Sequence, residues 1–236
     1  LYSVVHEGGH ALYELHVGRE LSRTCLGGGV SMAIHESQSR FYENIIGRSR
    51  AFCGVIYPWL REHFAPRLDD VSPEDFYRMI NKAQPSLIRT EADELTYCLH
   101  IMVRYELERR MFAGELTAHD LPAEWNRLYK AYLGVDVPND REGILQDSHW
   151  ANGNIGYFPS YAIGSAYGAQ YLRQMQKDFD VSAAVATGRL TQINCWLEEK
   201  IWKYGCMKDP TPLFESVCGP FDPTCYTAYL RDKFTE

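Results

Sequence analysis

The sequence predicts a mainly α fold, on three observations. Apolar residues recur at helical spacing through most of the chain, cap and stop signals punctuate those stretches, and only residues 135–161 lack any such period. At 236 residues there is enough material to bury a sizeable core. No internal repeat and no linker divides the chain, so residues 1–236 read as a single region.

Val4, Val5, Ala11, Leu12 and Leu15 carry the first helix, and Gly18 is its stop. Gly8 and Gly9 are anomalous there. Each costs a helix interior about 1 kcal/mol relative to Ala, so close approach of another backbone or of a substrate should require them. Leu26-Gly27-Gly28-Gly29-Val30 is a flexible connection. Ser31 caps a second helix through Ile34, Gln38, Phe41, Ile45 and Ile46, with an irregularity near Gly47. Residues 51–64 continue as helix, and Pro58 marks a kink or break.

Ser72-Pro73-Glu74-Asp75 combines an N-cap, a proline at the first helical position and acids on the positive end of the dipole. That helix ends before Pro85. A long helix should run from about Glu91 to Met111, with Leu95, Cys98, Leu99, Met102 and Leu107 on or near its core stripe. Asp120-Leu121-Pro122 opens another, which ends near Gly134. From Val135 to Tyr161 the prolines and glycines forbid a long helix, and a short irregular or β-hairpin segment is expected at 143–161. A long irregular segment of this kind is more often functional than not. Helices resume at about 163–179 and 191–204, and Asp222-Pro223 caps a last one to about residue 234.

Charge is 24 basic against 31 acidic residues, a net −7 with no basic block, so neither nucleic acid nor an anionic membrane is an expected partner. No stretch is apolar for long enough to predict a transmembrane helix. The seven cysteines include no C-x-x-C pair and read as reduced, mostly buried thiols of a cytoplasmic protein rather than as a zinc site.

The stretch His6-Glu7-Gly8-Gly9-His10 carries the chemistry. On a helix, His6 and His10 project from one face, where two imidazoles can grip a single divalent ion. This is the H-E-x-x-H pattern, in which Glu7 stands as general base. Two neutral imidazoles and one carboxylate make the usual catalytic zinc set, with a fourth position for water. Several carboxylates could complete it. Glu14 would have to fold back on its own helix, and is better placed as an acceptor for an imidazole N–H. Glu36 lies on the next helix, after a connection long enough to fold antiparallel, within the polar cluster His35-Glu36-Ser37-Gln38 that solvation explains poorly.

In chain order, His6-Glu7-Gly8-Gly9-His10, His35-Glu36-Ser37-Gln38, Ile88-Arg89-Thr90-Glu91-Ala92-Asp93 and Gly143-Ile144-Leu145-Gln146-Asp147-Ser148-His149-Trp150 resemble the signature set of the M32, or Taq-type, metallocarboxypeptidases. Gly156-Tyr157-Phe158-Pro159-Ser160-Tyr161 fits as well. The resemblance implies a multi-helix, gluzincin-like zincin with Glu36 as third ligand, one zinc (or cobalt or manganese) ion, peptide substrates, broad specificity for C-terminal residues and a homodimer. Family members carry further helices and motifs of the forms H-P-F and D-x-R-x-T ahead of the metal helix. Since this chain starts at Leu1, the resemblance implies the catalytic C-terminal region of a longer enzyme, weakly active or inactive by itself.

Cleavage at a C-terminus needs a group that reads a free carboxylate, and the Arg89 guanidinium suits it in bidentate fashion. The competing role is a simple ion pair with Glu91, Asp93 or Glu94; the resemblance favours substrate. Glu91 and Asp93 are expected to be scaffold, as are Gln146 and Trp150. His149, Tyr157 and Tyr161 sit in the irregular segment, the natural place for donors to an oxyanion. Asp147 could orient His149 or a neighbouring imidazole, or cap a turn. A related dipeptidase or endopeptidase with the same metal core, and a metal-free structural or interaction domain, stay open as alternatives.

Overall fold

In a computed structural model, residues 1–235 fold into helices joined by turns, and no strand occurs among these described residues. The chain forms two compact units, residues 1–81 with 163–236, and residues 82–162.

The larger unit opens with α1 (Tyr2–Leu15), which Leu1 begins without a side-chain cap. Its buried face is Gly9 and Tyr13, with Val5 and Leu12 packed on the core, while Val4, Ala11 and Leu15 are exposed. The apolar stripe expected from the sequence is thus rotated: backbone approach at Gly9, rather than apolar spacing, selects the inward face. A β-carbon at Gly9 would lie 2.5 Å from Ser39 Cα. At Gly8 a β-carbon meets nothing within 4 Å.

The Ser31 hydroxyl accepts from the Ile34 N–H and starts α2 (Met32–Arg40). The chain then widens into a π segment, Phe41–Ile46, closed where the Gly47 N–H donates to the Tyr42 carbonyl at 2.8 Å. This is the irregularity expected near Gly47. Ile34, Gln38, Phe41, Ile45 and Ile46 are all buried. Gln38 pairs inside the core, its Oε1 accepting from the Trp202 indole at 2.8 Å. Helix α3 (Arg50–His63), capped by Ser49, runs on through Pro58 instead of breaking there. Ser72 and Pro73 open α4 (Pro73–Ile80) as expected.

In the smaller unit, a 3₁₀ turn (Arg89–Glu91) leads to α5 (Glu94–Phe112), whose N-cap is Asp93. The inward face of α5 corrects the expected stripe. Thr96, Tyr97, His100, Ile101, Val103, Arg104, Leu107 and Glu108 are buried, whereas Leu95 and Met102 are exposed. Partners for the polar groups decide this face, because a buried Arg or Glu that is paired need not turn outward. Helix α6 (Leu121–Leu133) ends at Gly134, which takes the left-handed φ of 70° that glycine tolerates. Val103, Leu107, Trp125, Leu128 and Tyr129 form the core beneath them. Residues 143–158 are successive turns, so the hairpin alternative is not formed. Their backbone groups close locally, as when Asn152 and Asn154 donate to the His149 carbonyl.

Helix α7 (Pro159–Met175) starts earlier than expected. Its Gly164 faces the second helix of the larger unit, where an added β-carbon would meet Glu36 Cβ at 2.5 Å. The chain continues through α8 (Val181–Ala186), α9 (Leu190–Lys200), α10 (Pro210–Cys218) and α11 (Thr224–Thr235). Neither α8 nor α10 was legible as a separate helix. No helix among the described residues is long and apolar enough to cross a membrane. All seven cysteines are free, but only Cys53 and Cys225 are buried; Cys25 and Cys195 are exposed, so the expectation of mostly buried thiols does not hold.

Candidate metal centre

Helix α1 places His6 and His10 one turn apart, and the Gly9–Ser39 approach brings α2 alongside them. A β-carbon at Gly164 would lie 2.5 Å from Glu36 Cβ and 2.7 Å from its carbonyl carbon, so α7 packs at backbone distance on α2 at the third residue. Glu36 Oε2 lies 3.7 Å from His6 Nε2 and Oε1 3.9 Å from His10 Nε2. One ligand atom from each of the three residues falls within 4.8 Å of the others, a geometry that can hold a metal ion.

The opposite edges of both imidazoles are occupied. His6 Nδ1 is 2.9 Å from Glu43 Oε2, and Glu43 lies in the π segment, 3.7 Å from Arg48. His10 Nδ1 is 3.2 Å from His35 Nδ1. Both Nε2 atoms are thereby directed at Glu36, the orientation that partners behind a metal-binding histidine provide. Burial pushes the His10 imidazole down to about 4, with the neighbouring His6 and His35 acting in the same direction, so it is a neutral donor at pH 7.

Glu36 has an almost fully buried side chain. Burial raises its carboxyl above the ordinary range, and Arg40 at 3.8 Å and the Ser39 hydroxyl at 3.3 Å compensate only in part. A buried carboxylate facing two imidazoles is a donor set that a divalent cation would complete. The residues fit such an ion. Glu7 follows His6 on α1 and is exposed.

The smaller unit holds a second polar cluster. The Arg89 Nε and Nη2 donate to Asp147 Oδ1 at 2.9 and 2.7 Å, and its Nη1 to the Tyr97 hydroxyl at 2.8 Å. Arg104, wholly buried, donates from Nε to Asp147 Oδ2 at 2.7 Å and from Nη1 to the His100 carbonyl at 2.7 Å. Burial would raise the Asp147 carboxyl, but Arg104 and Arg89 outweigh it and hold it below the ordinary carboxylate range. Asp147 therefore binds guanidiniums and neither orients His149 nor caps a turn. Arg89 is not paired with Glu91, Asp93 or Glu94, the acids nearest in sequence. Asp93 caps α5 by accepting from the Thr96 N–H, a scaffold role as expected. Gln146 accepts from the Arg89 N–H at 2.9 Å, and Trp150 donates to Glu108 at 2.7 Å.

His149 Nε2 lies 3.1 Å from the Tyr161 hydroxyl, with the Tyr157 ring centroid 5.4 Å from that of His149. The three residues singled out in the irregular segment thus form one group. Burial and the nearby Arg89 lower the His149 pKa. Arg104 is the residue that sequence reasoning missed. Its only signal was the polar series His100, Arg104, Glu108 at one-turn intervals along α5.

Residues 1–234 match the family model described as Carboxypeptidase Taq (M32) metallopeptidase. The chain belongs to the M32 metallopeptidase family. Carboxypeptidase 1 of Bacillus subtilis is 46% identical over 100% of this chain and 47% of its own length. Thermostable carboxypeptidase 1 of Pyrococcus furiosus is 44% identical over 99% of this chain and 47% of its own. Among solved structures, the M32 carboxypeptidase from Deinococcus radiodurans superposes with a TM-score of 0.96 at 43% identity, over 99% of this chain and 48% of that one. Trypanosoma cruzi metallocarboxypeptidase 1 gives 0.95 at 36% identity, over 100% of this chain and 50% of that one. The chain spans about half the length of the curated relatives it matches.

Proposed function

We propose that this chain carries the catalytic centre of a metal-dependent carboxypeptidase, removing C-terminal residues from peptides. The convergence of His6, His10 and Glu36 on one point carries this reading. These residues would hold one divalent ion; the set suits zinc, and cobalt or manganese would accept similar geometry. When bound, such an ion acts as a Lewis acid and lets water attack at neutral pH.

Glu7 takes a proton from the attacking water and returns it to the leaving amine. Arg89 reads the substrate's terminal carboxylate. In its support, two buried guanidiniums share one carboxylate, Asp147, so the group retains positive charge for an anionic ligand. His149, Tyr157 and Tyr161 supply donors to the developing oxyanion.

We further place the chain as the C-terminal, metal-bearing region of a longer cytoplasmic homodimer that acts on peptides and engages neither nucleic acid nor membranes. The net charge of −7 supports the absence of nucleic-acid and membrane partners, and the roughly doubled length of the relatives supports a longer protein. Hydrolysis of a free-acid peptide and its C-terminal amide, before and after chelation, tests the proposal. Release of single residues from the free acid alone, lost on chelation and restored by zinc, is expected. Equal cleavage of both would point to an endopeptidase.

A further inference from the structure

His35 and Glu14 lie behind His10, outside the three residues that converge. His35 Nδ1 is 3.2 Å from His10 Nδ1, and His35 Nε2 is 2.8 Å from Glu14 Oε1. The last member of this series constrains the hydrogen-bond roles along it. An ionised carboxylate only accepts, so His35 Nε2 must donate. In the neutral form of His35, which has one N–H, Nδ1 then accepts, and His10 Nδ1 is the donor. His10 then presents a bare Nε2 lone pair, on the side where Glu36 and His6 stand.

We propose that Glu14 and His35 form a positioning relay that fixes His10 as its Nδ1–H tautomer and aims Nε2 at the point shared with His6 and Glu36. This rests on the metal-binding reading above only for its consequence; the tautomer itself is a property of the chain.

The surroundings of His35 are shaped to it. A β-carbon at Gly29 would come within 2.2 Å of His35 Nε2 and 2.7 Å of Tyr13 Cε1, so any larger residue there would force one of these rings to shift. The Gly29 N–H donates to the same Glu14 Oε1 at 2.9 Å, which fixes the exposed carboxylate in place. Tyr13 packs on the His35 ring at 4.7 Å, and its hydroxyl accepts from the Val30 N–H at 3.2 Å. Loop, tyrosine and carboxylate thus hold one imidazole, which reaches from α2 between two residues a single turn apart on α1. His6 has no such intermediary, since Glu43 meets its Nδ1 directly. The two histidines are therefore oriented by different means. The same relay accounts for the first residue of the His35-Glu36-Ser37-Gln38 cluster.

Nitrogen-15 NMR of the imidazoles in the metal-free protein, at mildly alkaline pH, reads the tautomers directly. The expected result is Nδ1–H on His10 and Nε2–H on His35. In Glu14→Ala, an exposed change that leaves the core untouched, and in His35→Leu, the His10 signal should shift towards a mixture of tautomers. His35→Asn, which can still accept from His10, should restore the Nδ1–H form. Chelator competition should show zinc affinity about 10- to 100-fold weaker for His35→Leu, the usual effect of losing a partner behind a ligand. An Nε2–H on His10 in the parent, or a His10 tautomer indifferent to both changes, would overturn the relay. Expected tautomers in a parent that takes up no zinc would uphold the relay and defeat the metal reading instead.

Discussion

Gly9 of α1 sits so close to α2 that a β-carbon on it would lie 2.5 Å from Ser39 Cα and 2.8 Å from the Gln38 carbonyl oxygen. This contact sets the spacing between the helix that carries His6 and His10 and the helix that carries Glu36. Its neighbour Gly8 has open space around its missing β-carbon. The two adjacent glycines should therefore respond to substitution in opposite ways.

Gly9→Ala should destabilise the protein by about 1–3 kcal/mol, the cost of overpacking against a backbone that cannot yield, and should weaken metal binding as well. Gly8→Ala should be neutral or stabilise by up to about 1 kcal/mol, the helix-propensity gain. Denaturant unfolding of both variants decides the matter. Equal effects would mean that the α1–α2 contact is not what demands glycine at residue 9.

Asp147 should matter for stability more than its place in an irregular segment suggests. Asp147→Asn leaves Arg89 and Arg104 buried without their anion, and a loss of about 3–5 kcal/mol is expected. The pH dependence follows from the lowered carboxyl. Because the folded pKa lies below the unfolded one, Asp147's contribution is complete above the ordinary carboxylate range and disappears as pH falls through the folded value. Acid unfolding should be less steep in Asp147→Asn than in the parent. Superimposable acid profiles would show that the pair of arginines does not depend on this carboxylate.

In the full-length enzyme, Arg89→Ala should harm hydrolysis of free-acid peptides by about 2–5 kcal/mol in transition-state terms, the range for truncating one partner of a buried charge pair. Peptide amides, poor substrates already, should lose little. Since Arg89 also anchors Asp147, the comparison of the two substrate classes is what carries information. Equal losses would assign Arg89 to the scaffold.

Tyr161→Phe removes the hydroxyl that stands 3.1 Å from His149 Nε2. If it serves the oxyanion, kcat should fall by about 10²–10³ with KM little changed. A change confined to KM would place Tyr161 in substrate binding only.

Much of the centre was legible in the sequence because it is local. His6 and His10 need only helical spacing, and Ser31, Ser72 and Asp222 mark helix starts by short-range hydrogen bonding. What escaped depends on distant partners. The face of α5 is chosen by Asp147, Tyr129 and Trp150 pairing with Arg104, His100 and Glu108, contacts 25 to 43 residues apart along the chain. An apolar pattern cannot encode that choice, so Leu95 and Met102 share the apolar spacing yet are exposed. The same holds for Asp147, whose guanidinium partners lie 58 and 43 residues away. Glycine gave a usable signal of a different kind: Gly9 announced a close approach without saying to what.

Metal content tests the central claim most directly. After equilibration with zinc and removal of unbound metal, the parent should retain one ion per chain, and Glu36→Ala should retain much less while keeping its helical content. Equal zinc in the two proteins would contradict the account, because Glu36 would then have no part in holding the ion.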